Sequence, residues 1–121
     1  MIRVIAFAFV LALAFVVPSF AQTTNLYGTY AVTGVSNDGK PYESEGVVSV
    51  SADPSGALLV NWDNGEYIGI GQVSGNMLAI AVVVEKRNAV QLMTINPDGS
   101  LSGSWWRRTE PGVGSENWKR K

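Results

Sequence analysis

The chain has no cysteine and no histidine. That removes the usual zinc ligand sets, thiol nucleophiles and Ser-His-Asp triads, and it denies a small exported domain the disulfides such domains often use. Helical signals are also missing: beyond the N-terminal leader, no stretch combines helical apolar periodicity with capping residues. Essentially no helix is expected there, and so no Gly-rich phosphate loop to open one. An excess of charge is lacking too. Nine Lys and Arg against ten Asp and Glu leave a formal net charge of −1, which argues against a nucleic-acid partner.

What is present begins with a leader. Arg3 supplies a short positive region, residues 4–17 are unbroken apolar, Pro18 ends the run, and Ser19 and Ala21 place small residues before Gln22. This is the layout of a cleaved export signal. The apolar run is shorter than the roughly 20 residues a membrane span needs, and without cysteine there is no lipid-anchor site. Residues 1–21 are therefore read as a signal peptide and 22–121 as a single domain with one core. The expected address is the periplasm or the exterior, with no membrane span after cleavage.

The domain repeats one grammar of apolar run, Gly-bearing turn and apolar run. Strands are predicted over 26–34, 42–51, 58–62, 66–73, 77–84, 89–95, 101–108 and 115–119, close to the 8–12-residue spacing of a sandwich or barrel. Asp63-Asn64-Gly65 reads as a tight hairpin turn, with Asn-Gly as its signal because a type I′ turn needs positive φ at both central residues. Asp38, Asp53 and Asp98 sit in dense turn clusters, where Asx turns account for them better than calcium loops do. Short connections favour an up-and-down meander. The fold expected is all-β, an eight-stranded antiparallel up-and-down barrel, with a curled open sheet or small sandwich as the alternative. The strand at 115–119 decides closure; without it an open edge would pair with a second copy as a homodimer. Glycines inside strands, such as Gly28, Gly69, Gly71 and Gly103, fit the bending that closure requires.

Few residues suggest reaction chemistry. Glu43 with Glu45, and Asp63 with Glu66, are carboxylate pairs, but rim and turn positions mark them as solvated charges rather than a catalytic pair across a cleft. No cofactor or metal is implied, and no enzymatic activity is expected. Acidic residues crowd the first half of the domain, whereas Arg107, Arg108, Lys119, Arg120 and Lys121 crowd its end, diluted by Glu110 and Glu116. Aromatics are the stronger lead. Trp105 and Trp106 are adjacent on a strand, so they point to opposite faces and both cannot be interior. An aromatic and basic outer face bearing Trp105 or Trp106, with Arg107 or Arg108 beside it and Trp118 as a further candidate, is one possible partner-binding surface. Tyr42, Trp62 and Tyr67 form a second candidate set, at a ligand-binding barrel mouth. An interior lined by Leu58, Val60, Trp62, Ile80, Val82 and Leu92, if that face points inward, would be filled by side chains.

Several motifs carry a resemblance. Tyr27-Gly28-x-Tyr30-x-Val32-x-Gly34, Asn37-Asp38-Gly39-x-x-Tyr42, Trp62, Gly69-x-Gly71, Asp98-Gly99-x-Leu101-x-Gly103-x-Trp105 and Gly112-x-Gly114-x-Glu116 span nearly the whole domain. The pattern resembles a family of small exported bacterial proteins, mostly uncharacterised, some labelled fibronectin-binding protein. It is more distantly similar to lipocalin and avidin barrels, with Gly28-Thr29-Tyr30 where those folds usually carry Gly-x-Trp. The resemblance implies a barrel and no catalytic residues. The function expected is non-enzymatic binding of a macromolecular partner by the outer face, fibronectin-binding-like. The alternative is carriage of a small apolar ligand in the mouth, lipocalin- or avidin-like.

Overall fold

The computed structural model describes residues 26–83 and 88–121, with the side chains of 43–46 outside the description. The leader at 1–21 and residues 84–87, which include the end of the fifth predicted strand, therefore lie outside the described residues. Eight strands follow in order: β1 (Gly28–Val35), β2 (Pro41–Ala52), β3 (Leu58–Trp62), β4 (Tyr67–Ser74), β5 (Met77–Val82), β6 (Ala89–Ile95), β7 (Leu101–Arg107) and β8 (Gly114–Arg120). Each pairs antiparallel with the next, and β8 returns to β1, from Tyr30 opposite Arg120 to Val35 opposite Ser115. The sheet is a closed up-and-down barrel, so the open-sheet and sandwich alternatives fall away. No α-helix occurs among the described residues.

The turns explain the connections, with one correction. Trp62 pairs with Tyr67, so the loop after β3 holds four residues, not the two of a type I′ turn. Its Asp63–Gly65 segment is a tight left-handed turn, with Asp63, Asn64 and Gly65 all at positive φ, 52°, 58° and 101°. The Asp63 carboxylate accepts the Val47 N–H at 3.1 Å, fastening this loop to β2. After β4, Ser74 pairs with Met77 and Gly75 takes φ 60° at the first central position, as a type II′ turn requires. Asp38, Asp53 and Asp98 each accept the backbone N–H two residues on, at 3.1, 2.9 and 2.9 Å. They are Asx turns.

An up-and-down barrel gathers alternate connections at each end. Loops 36–40, 63–66 and 108–113 share one end, and the opposite end is the densely packed one. There Leu26, Tyr30, Val50, Leu58, Leu78, Leu101 and Trp118 are buried together. The Tyr30 hydroxyl donates to the Leu26 carbonyl at 2.7 Å, which anchors the entry into β1. Trp118 stands between Tyr30 and Trp62, with ring centroids 5.8 and 6.0 Å away, the second edge-to-face.

Strand β6 departs from expectation. Leu92 faces outward with Val90, while Gln91 and Met93 face the interior. Both faces of this strand carry apolar side chains, so alternation alone does not say which is inner. The other residues expected inside, Leu58, Val60, Trp62, Ile80 and Val82, are all buried.

Candidate functional site

The side chains do not fill the barrel at the loop-bearing end. A cavity of about 310 Å³ opens there, between the ends of the strands and loops 36–40 and 63–66. Its floor is set by β8. On that strand Gly114, Glu116 and Trp118 point inward by the period of two and Asn117 and Lys119 point out, while Arg120, at the open end of the strand, shares the inward parity and lies over the Tyr30 ring. Glu116 is thereby carried into the interior, 7% exposed.

Four donors converge on its carboxylate. Oε1 accepts from the Trp118 indole N–H at 2.7 Å, the Trp62 indole N–H at 3.1 Å and the Gln91 amide at 3.1 Å. Oε2 accepts from the Tyr42 hydroxyl at 2.8 Å. The direction of that last bond follows from its neighbour. The Trp105 indole, which can only donate, gives its N–H to the Tyr42 oxygen at 3.2 Å, so the phenol proton is free to go to Glu116. Burial, and then the adjacent Glu116 charge and hydrogen bond, push the Tyr42 pKa well above its ordinary value of 10. Tyr42 stays a donor through the neutral range.

Two glycines make this convergence possible. Tyr42 lies opposite Gly34 in the β1–β2 ladder, and Gly34 lies opposite Glu116 in the β1–β8 ladder. The Tyr42 ring crosses over Gly34, where any Cβ would collide with it, and so reaches the carboxylate. Likewise the Trp105 indole occupies the space a side chain at Gly114 would need.

Aromatic and charged groups finish the mouth. The Arg107 guanidinium lies 5.1 Å from the Trp105 ring centroid and 5.9 Å from that of Tyr67, with Glu110 3.5 Å away. Asn37 donates to the Glu110 carboxylate and the Pro111 carbonyl, both at 3.1 Å, tying two rim loops together. Asp63 and Glu66 line the opposite lip, exposed to solvent.

The structure redistributes the residues singled out from the sequence. Tyr42, Trp62 and Tyr67 all line the cavity. Trp105 and Arg107, expected on an outer face, line it too, because the inward parity of β7 includes both. Trp118 cannot be a surface residue: it is fully buried beneath the cavity. Trp106 and Arg108 remain outside. Glu116 and Gln91 are the residues that sequence reasoning missed as site groups. For Glu116, its parity with Gly114 and Trp118 was the available signal; for Gln91, its central place in an apolar strand.

On the outer wall, Ile70, Ala81, Val90 and Trp106 stand in register across β4, β5, β6 and β7, all exposed. Among the described residues no group of three or more acidic side chains is placed to hold a metal ion. No protein-family model matches the chain, and no curated protein matches it.

Proposed function

We propose that this is an exported, non-catalytic binding protein that holds a small ligand in the open mouth of the barrel. The carrying observation is the cavity of about 310 Å³ walled by Tyr42, Trp62, Tyr67 and Trp105 above an interior carboxylate. That volume is at the small end of the roughly 300–1,000 Å³ typical of ligand pockets, and an apolar wall with a few convergent polar groups is their usual chemistry. Native mass spectrometry of the mature protein from its exported fraction, with tryptophan fluorescence alongside, tests this. A bound small molecule is expected, released by Ala89→Trp, which plugs the mouth from β6. A bare mass, with no quenching by any flat aromatic probe, overturns the reading.

A second reading rests on the outer wall, where the exposed row ending at Trp106 offers apolar area to a macromolecule, with Arg108 beyond the end of β7. Fibronectin is the probe that the family resemblance suggests. Capture of immobilised fibronectin, lost in Trp106→Ser at unchanged melting temperature, supports it; no capture by the wild-type domain removes it.

A further inference from the structure

We infer that the mouth takes a small organic cation, a flat apolar body bearing a protonated amine or amidinium, with its N–H groups on Glu116 and Gln91; this rests on the mouth being a ligand site. Two acceptors there are offered to it. A carboxylate offers about four acceptor positions, two on each oxygen. Oε1 of Glu116 already takes three donors, whereas Oε2 takes only the Tyr42 hydroxyl. Oε2 therefore keeps a vacant acceptor position, on a residue that lines the cavity.

Gln91 supplies the second. Its amide nitrogen donates both to Glu116 and to the Met93 sulfur at 3.2 Å. Both neighbours are acceptors, so the NH2 end faces them and the carbonyl end is turned elsewhere. Gln91 forms part of the cavity wall, so that end of the amide is offered to the mouth. A ligand N–H answers both acceptors at once; a ligand carboxylate answers neither.

The rest of the mouth has the same preference. Among the described residues, Asp63, Glu66 and Glu116 give the lining three carboxylates against the one guanidinium of Arg107, and Arg107 is itself drawn toward Glu110. Aromatic faces attract cations through their ring quadrupoles, and these walls already do so within the chain, since Arg107 sits over Trp105 and Tyr67. A ligand cation entering below Arg107 meets the same rings with a carboxylate beneath it.

Calorimetric titration of the mature domain with phenethylamine, phenethyl alcohol and hydrocinnamate tests the inference, because the three share one body and differ in the end group. The amine is expected to bind at least about tenfold tighter than the alcohol, as a hydrogen bond to a charged group warrants, and the acid not at all. Glu116→Gln should erase the amine's advantage while leaving alcohol binding in place. Should Glu116→Gln fail to fold, Glu66→Gln, an exposed rim change, is expected to weaken the amine alone. Equal binding of all three, or tighter binding of the acid, overturns the cation and leaves the mouth as a ligand site. Heat from none of them, with Ala89→Trp indistinguishable from wild type, overturns both.

Discussion

At the residue scale, Glu116 combines a structural duty with the proposed binding one, and the two pull in different directions. A buried charge is costly unless its partners are complete, and here two indoles, an amide and a phenol complete it. Glu116→Leu leaves those donors without an acceptor and is expected to cost about 3 kcal/mol or more, read from the denaturation midpoint. Glu116→Gln keeps one strong acceptor oxygen and should cost about half as much. Gly114→Ala tests the shape of the same site. Its methyl enters the Trp105 indole and should cost about 1–3 kcal/mol, with a shift in tryptophan emission as that ring moves. These residues were hardly visible in the sequence. Gln91 lies between Val90 and Leu92, and the natural assumption is that a polar residue in such a run faces water. The outer wall is itself apolar along β6, so the assumption inverts the strand.

The element scale was far more legible. Most strands lie between local signals, Asp-Gly or Asn-Gly turns and prolines, whose chemistry does not depend on the rest of the molecule. The predicted bounds of β3 and β6 are those observed, and most others agree to within a residue or two. Loop 63–66 shows where local signals stop. Asn64-Gly65 correctly marks a reversal, yet the number of residues in it is set by the pairing of Trp62 with Tyr67, a tertiary choice. Because Asn64 holds φ 58°, Asn64→Val should cost roughly 1–2 kcal/mol for its left-handed backbone, while Asn64→Gly should leave the melting temperature unchanged or raise it. Asn64→Val also disturbs the loop at the lip of the mouth whereas Asn64→Gly keeps its backbone, so ligand affinity should fall in the first and not in the second.

For the whole molecule, the buried tyrosines set an alkaline limit. The pKa values of Tyr42 and Tyr30 are both raised in the fold, chiefly by burial. In the unfolded chain these phenols ionise near their ordinary value of 10, whereas in the barrel they keep their protons to higher pH. The unfolded state then holds fewer protons, and stability falls as pH rises. The stabilisation is complete below pH about 10 and is lost progressively above it. Denaturation midpoints measured across that range should decline, and Tyr42→Phe should flatten the decline. A midpoint that stays constant through this window would remove Tyr42 from that role.

The return of β8 to β1 also governs the order of events during folding. Its contacts have the greatest sequence separation in the barrel, and the entropy of closing so long a loop makes such pairings late and slow. Glu116 and Trp118 arrive on that strand. Before it docks, the indole of Trp62 and the phenol of Tyr42 have no carboxylate to meet, and two strand edges stand bare. The proposed binding site is thus the clasp of the barrel. A ligand seated on Glu116 would bind only the closed state and stabilise it by mass action, so occupancy certifies that the last strand is home. A chain caught just short of closure would be sticky and empty at once.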